Sequence, residues 1–200
     1  MTKNHQKIKI GILGGTFDPP HLGHLRISYI AIKRLKLDEI WWIVSLSNPL
    51  KEKEKVSSFN KRLEKAKKFV KIKKIIVTDL EKKINSPYTI DLICYLKKKY
   101  PWRNFVWIMG VDSVINFHNW KDWKEIFYKV PIAIFDRPFY SLSTSKSKAL
   151  TYFKNRRISN KLSKKLKNMI PPRWVFITGQ THLKSSTQLR QEKIGLKKKY

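Results

Sequence analysis

The run GGTFDPPHLGH, from Gly14 to His24, places three glycines, two prolines and two histidines within eleven residues. Gly14 and Gly15 carry no side chain, so their backbone N–H groups can approach an anion closely, and a helix starting near His21 would aim its positive end at the same spot. Such a place suits a phosphate. The two prolines stiffen the approach and delay the helix, while Gly23 in the first helical turn costs about 1 kcal/mol relative to alanine and needs a compensating reason such as close ligand approach. His21 and His24 are three apart, so within a helix both rings share a face. They can act there as donors to a phosphate or serve simply as capping or core residues. Two familiar phosphate loops are excluded: the run lacks the Gly-Lys-Ser/Thr of a P-loop, and GILGGT does not supply the G-x-G-x-x-G of a dinucleotide fingerprint.

A loop of this kind needs a sheet and helices to hold it. KIKIGIL reads as a strand ending at Gly14, and HLRISYIAIKRLKL carries apolar residues at helical spacing. The alternation continues with strand EIWWIVSL, helix SFNKRLEKAKKFVK, strand KIIVTDL, helix SPYTIDLICYLKKKY, strand NFVWIMG, helix DWKEIFYKV and strand PIAIFDR. Strands this apolar are buried on both faces, so the fold class is α/β, a Rossmann-like doubly wound parallel sheet with helices on both faces and right-handed crossovers. Ser141 to Asn168 lacks a sheet pattern and reads as a basic excursion with one or two helices. RWVFIT is a last strand, leading through GQTHLKSS to a short helix at TQLRQEKI. Residues 1–195 are expected to form one domain, and 196–200 a basic tail. Open α/β sheets bind ligands beyond the carboxyl ends of their strands, near a topological switch point, which is where Gly14 and Gly15 would lie.

With 200 residues, 42% of them hydrophobic, the chain can bury one substantial core. Nothing in it approaches the roughly 18 apolar residues of a membrane span, so no membrane partner is expected. Its single cysteine, Cys94, lies in TIDLICYL and reads as a small buried hydrophobe; no disulfide can form within the chain, and a reducing cytoplasm is the expected location. Lys plus Arg number 44 against 14 Asp plus Glu, a formal +30. Polyanions must therefore be considered as partners, and a basic nucleic-acid-binding protein is the alternative of a different class. The excess is mostly lysine, spread where solvated helix faces and turns are expected, and arginine, the better residue for forked phosphate or base contacts, is not enriched with it. A compositional bias accounts for it better than a dedicated groove.

The run GGTFDPPHLGH resembles the signature of the nucleotidyltransferase superfamily of adenylyl and cytidylyl transferases, with His21, Gly23 and His24 filling its H-x-G-H motif. A second superfamily motif is matched by KSSTQLR, Lys184 to Arg190. Further runs narrow the resemblance: NPLK at 48–51, PYT at 87–89, WIMGVDSVINFHNWKDWKEI at 107–126 and DRP at 136–138. Together they are similar to bacterial nicotinate-nucleotide adenylyltransferases, from about Lys9 to Arg190. The resemblance implies transfer of the adenylyl group of ATP to nicotinate mononucleotide, giving deamido-NAD and pyrophosphate. Pantetheine-phosphate adenylyltransferases share the first motif but lack the middle block, so 4'-phosphopantetheine ranks well below as an alternative acceptor; nicotinamide mononucleotide is the other alternative.

The chemistry also follows from the reactants. A phosphate monoester with second pKa near 6 is largely a dianion at pH 7, so its attack on the α-phosphate needs alignment and charge neutralisation rather than a strong base. The resemblance implies catalytic roles for His21, His24 and Arg190, and ATP binding by Gly14, Gly15, Thr16, Phe17, Gly110, Asp112, Ser186 and Thr187. Asp112, after Gly110 at the end of a strand, would accept ribose hydroxyls or else cap the next helix; Ser186 and Thr187 could equally cap a helix. For the mononucleotide the implied residues are Asn48, Lys51, Tyr88, Thr89, Trp120 and Arg137. Trp120 would stack on the pyridine ring, although with 7 tryptophans most must be structural. Tyr88 and Thr89 open a helix after Ser86-Pro87, so their N–H groups could receive the nicotinate carboxylate. Mg²⁺ would arrive with ATP and bridge its phosphates with few protein ligands; no dedicated metal site is expected, and a homo-oligomer is compatible with the sequence.

Overall fold

A computed structural model describes residues 7–47, 56–136 and 147–178. Its sheet has seven strands: β1 (Lys9–Gly15), β2 (Glu39–Val44), β3 (Ile75–Thr78), β4 (Asn104–Gly110), β5 (Ile132–Phe135), β6 (Arg157–Ile158) and β7 (Trp174–Ile177). All pairings are parallel, in the order β3-β2-β1-β4-β5-β7-β6. The helices are α1 (Leu22–Leu35), α2 (Phe59–Phe69), α3 (Leu80–Ile84), α4 (Thr89–Lys99), α5 (Val111–Ile115), α6 (Trp123–Lys129) and α7 (Lys148–Tyr152), with a 3-10 helix at Asn160–Asn168.

The strands read as continuous apolar runs because each face carries its own core. Ile10, Ile12, Trp41, Ile43, Trp107, Met109 and Ile134 pack with Ile93 and Leu96 of α4 and with Ile126 and Phe127 of α6. Their sequence neighbours Leu13, Ile40, Trp42, Val106, Ile108 and Phe135 point the other way, onto Ile27, Ala31 and Leu35 of α1, Ala66 of α2 and Leu166. Period-two alternation thus feeds two apolar layers rather than one apolar and one solvated face. Helices cover both sides, the doubly wound arrangement expected from the pattern. β1 is an interior strand, with β2 on one side and the central strand β4 on the other. The chain winds outward to β3, then crosses back over β1 to β4, and that crossing makes the carboxyl ends of β1 and β4 the topological switch point.

Two expectations are corrected. Cys94 is exposed: α4 buries Ile90, Leu92, Ile93 and Leu96, which is all the stripe a helix on a sheet requires, and Cys94 falls outside it. The excursion from Ser141 to Asn168 does supply sheet, since Arg157 and Ile158 pair in parallel with Trp174 and Val175 as the edge strand β6. Two residues flanked by lysines and arginines are too short to show a period. The helix at TQLRQEKI and the tail lie outside the described residues, and among the described residues no helix is long and apolar enough to cross a membrane.

Candidate active site

His21 is not inside α1 but caps it, with extended backbone (φ −147°, ψ 168°). Its Nδ1 accepts the N–H of Gly23 at 3.1 Å, and Nδ1 of His24 accepts the N–H of His21 at 3.2 Å, a reciprocal capping box built from two imidazoles. The rings therefore meet at 3.8 Å between centroids. A nitrogen that accepts cannot carry the proton of a neutral imidazole, so both rings are assigned as Nε2–H tautomers, which are hydrogen-bond donors at their outer nitrogens. A capping role leaves Nε2 of each ring as a donor and fixes its orientation. His24 is braced further by Phe17 (4.8 Å), which itself stacks on Trp42 at 4.6 Å and 10°. Trp42 donates to Ser28 Oγ at 2.8 Å, and Ser28 Oγ donates to the carbonyl of His24, also at 2.8 Å. Phe17 is fully buried with φ +48°. Only its backbone can meet a ligand, and its side chain is a brace for His24.

Beside this cap, across the ends of β1, β2 and β4, opens a cavity of about 200 Å³. It is lined by Gly14, Gly15 and Thr16 after β1, Ser45 and Ser47 after β2, Glu81, Pro87, Tyr88 and Thr89 around the start of α4, Trp107 of β4, and Ser113, Asn119, Trp120 and Lys121. A β-carbon on Gly14 would stand 3.1 Å from the Trp107 indole, so a side chain there would press the ring aside by a few tenths of an ångström. Trp107 and Trp120 meet edge-to-face at 6.2 Å, and Trp120 also packs on Phe117 at 4.9 Å. Trp120 therefore does both things its sequence position allowed: it belongs partly to the core and also lines the cavity.

Tyr88 is the N-cap of α4 and Thr89 its first residue. Tyr88 already donates its N–H to Ser86 Oγ at 3.2 Å, and Ser86 Oγ donates to Asp91 at 2.7 Å. Thr89, as N1, has no acceptor for its N–H within its own helix. Lys121 stands over the Tyr88 ring at 4.7 Å with its Nζ 3.5 Å from Asp91, which puts a positive charge at the mouth beside the start of α4.

The structure thus gathers Gly14, Gly15, Thr16, Tyr88, Thr89 and Trp120 around one cavity, whereas His21 and His24, at the cap of α1, do not line it. Gly110 caps α5 and Asp112 is that helix's second residue, half-buried at the same edge of the sheet but not lining the cavity. Asn48, Lys51, Arg137, Ser186, Thr187 and Arg190 lie outside the described residues.

Sequence reasoning missed Arg62 and Glu81. Both are almost completely buried, at 3% and 4% exposure. The Arg62 guanidinium donates to the carbonyls of Ser57 (3.0 Å), Thr16 (3.0 Å), Ser45 (2.8 Å) and Leu46 (3.3 Å). Burial lowers its pKa from the ordinary value, with Asp18 and Glu81 acting in the opposite direction. Glu81 accepts the N–H of Leu46 at 2.8 Å, and its carboxyl is pushed up to about 7, chiefly by burial, against that hydrogen bond and the charge of Arg62. A signal for Arg62 existed: it shares the Phe59, Leu63, Ala66 stripe of α2, where an uncompensated charge has no place.

The fold thus brings a glycine loop, a histidine-capped helix and a cavity together at the switch point of a doubly wound sheet. A family model described as Cytidylyltransferase-like matches residues 12–192. A probable nicotinate-nucleotide adenylyltransferase of Brucella suis is 40% identical over 189 residues, covering 94% of this chain and 96% of its own. A protein of the same name from a Caulobacter species is 37% identical, with 92% and 97% covered. Among solved structures, the Plasmodium falciparum nicotinic acid mononucleotide adenylyltransferase complexed with NaAD superposes with a TM-score of 0.65 at 20% identity, covering 92% of this chain and 83% of that one. The same Plasmodium falciparum enzyme complexed with APC gives 0.64 at 19% identity. Identity of this order over nearly the whole length means that the chain belongs to the nicotinate-nucleotide adenylyltransferase family.

Proposed function

We infer that the protein transfers the adenylyl group of ATP to nicotinate mononucleotide, releasing pyrophosphate and forming deamido-NAD. The observation that carries this reading is a cavity at the switch point lined by the glycine loop together with Trp120, the start of α4 and Lys121, the loop leading directly into a helix capped by His21 and His24. One end suits a reacting phosphate and the other an aromatic ring bearing a negative charge. A phosphate oxygen of the mononucleotide attacks the α-phosphorus of ATP, the bond from that phosphorus to the β-phosphate bridging oxygen breaks, and pyrophosphate carries the electrons away.

His21 and His24 stabilise the charge that grows on the α-phosphate, and their mutual cap holds both rings in place before the substrate arrives. Gly14, Gly15 and Thr16 let the phosphates lie against backbone, and the positive end of α1 faces them. These are donors, suited to phosphate oxygens rather than to a hard cation, so Mg²⁺ fits as an ion brought in by the phosphates of ATP themselves. Bound there, it would neutralise charge on the departing pyrophosphate. Arg190, Ser186 and Thr187 belong to the same reading as holders of the β and γ phosphates, Asp112 and Gly110 as ribose neighbours, and Asn48, Lys51 and Arg137 as partners of the mononucleotide phosphate. Thr89 and Lys121 give the nicotinate carboxylate a backbone donor and a nearby cation, whereas a nicotinamide gains less from either.

Purified protein with ATP and Mg²⁺ should release pyrophosphate when nicotinate mononucleotide is added, and far less with nicotinamide mononucleotide or 4'-phosphopantetheine in parallel reactions. Turnover of 4'-phosphopantetheine alone would replace the acceptor, and salt-dependent duplex binding without turnover would favour the nucleic-acid reading.

A further inference from the structure

The buried Arg62 does not face solvent or a single partner; it joins three segments of backbone. Thr16 follows β1, Ser45 and Leu46 follow β2, and Ser57 leads into α2. The peptide between Ser45 and Leu46 is held from both sides, its carbonyl accepting from Arg62 at 2.8 Å and its N–H donating to Glu81 at 2.8 Å. Ser57 is held in the same manner, its N–H by Asp18 Oδ2 at 2.7 Å and its carbonyl by Arg62 at 3.0 Å. The grip on Thr16 has a directional consequence. In a trans peptide the carbonyl and the following N–H point oppositely, so fixing the Thr16 carbonyl on Arg62 at 3.0 Å also fixes the direction of the Phe17 N–H. Thr16 and Ser45 are neighbours in the lining of the cavity, both carbonyls sharing Arg62 Nη1, and Glu81 lines the same cavity.

We propose that Arg62, backed by Glu81, is a positioning residue for adenylyl transfer that holds the loop after β1 in register with the loop after β2. Gly14, Gly15 and Thr16 line the cavity and lead to His21, so the place at which Arg62 fixes Thr16 beside Ser45 and Leu46 sets where the phosphate-facing backbone stands. Nη1 joins the Thr16 and Ser45 carbonyls while Nε and Nη2 hold those of Ser57 and Leu46, a spread of donors that a guanidinium has and a point-like ammonium lacks. Neither residue touches the reacting atoms. This inference rests on the adenylyl-transfer reading above and concerns how that site is held.

A displacement of about 1 Å at a reacting pair can cost about a hundredfold in rate. Arg62→Lys should therefore lower kcat by about 30-fold or more while the KM for ATP and for the mononucleotide each stay within about threefold, in protein shown to be folded by its thermal transition. Glu81→Gln keeps an acceptor for the Leu46 N–H but removes the charge beside Arg62, and it should lower kcat at least about threefold at pH 8, again with KM little changed. A folded Arg62→Lys variant with wild-type kcat, or one whose loss lies in KM, overturns the inference. If Arg62→Lys does not fold, Glu81→Gln decides, and unchanged kcat in that variant overturns it. A wild-type protein that does not turn over nicotinate mononucleotide is a separate outcome, which removes the functional reading and this inference with it.

Discussion

Replacing His24 by alanine removes an Nε2–H donor and an N-terminal cap together, since the same ring accepts the His21 N–H through Nδ1. Loss of one preorganised donor typically costs about 3 kcal/mol in the transition state, and loss of a cap about 1 kcal/mol of stability. His24→Ala should thus lower kcat by two or more orders of magnitude and lower the unfolding free energy measurably in urea; near-normal turnover would take His24 out of the site. Glu81 makes a prediction of opposite sign. Its carboxyl titrates near 7 in the folded protein, above its ordinary 4.5, because burial penalises the charge. Below that ordinary value it is neutral in both states. As pH rises through the interval to 7 the unfolded chain releases its proton while the folded chain still holds one, so stability is lost, up to about 3 kcal/mol. Glu81→Gln carries no such group, and relative to wild type it should gain about that much between pH 4 and pH 8. Parallel stability curves would show that Glu81 is not held neutral. The chemical types at the site were legible from the sequence: the histidines, the glycines and Trp120 all stand at the switch point. The way they are held was not, because a reciprocal cap between two imidazoles and an arginine spanning three carbonyls depend on where distant segments meet, and spacing along the chain carries no such information.

The strands and long helices could be read because two apolar layers leave no ambiguity about period, and the exceptions have physical causes. Cys94 sits in an unbroken apolar run yet faces outward, since α4 packs only one stripe on the sheet. β6 consists of two residues set among basic side chains, and its pairing comes from β7 rather than from its own pattern. Close packing between elements is testable at Gly11. A β-carbon there would stand 2.5 Å from Cδ1 of both Ile108 and Ile40 and 2.8 Å from Cδ1 of Leu37, all in the layer under α1. Gly11→Ala should cost about 1–3 kcal/mol of stability, as overpacking does, and leave KM for both substrates unchanged, as unfolding curves and steady-state kinetics would reveal. The start of α4 offers the complementary test. Proline is well tolerated at N1, so Thr89→Pro should preserve the helix, remove one backbone donor and narrow the preference for nicotinate over nicotinamide mononucleotide. Equal losses with the two acceptors would place charge reading elsewhere, with Lys121 the next group to replace.

For the molecule as a whole, a formal charge of +30 on 200 residues means substantial self-repulsion, while both substrates of the proposed reaction are polyanions. Salt should act on the two in opposite directions. Between about 20 mM and about 300 mM NaCl the Debye length shrinks severalfold, so the melting temperature should rise as repulsion is screened, whereas kcat/KM for ATP should fall as attraction is screened. A salt-independent melting temperature would mean that the lysines are too dispersed to repel one another appreciably. The position of β1 has a different kind of consequence. Its residues Lys9 to Leu13 pair with Asn104 to Ile108, so the centre of the sheet is closed by chain made some ninety-five residues later. Until those residues leave the ribosome, a strand with no polar face waits with one edge open, relying on β2 and the helices already made to shield it. Late closure of that kind is slow and exposes nascent chains to one another; the step most dependent on chaperones should be the arrival of β4, and ribosome-bound chains stalled just before Asn104 should be the ones that chaperones hold.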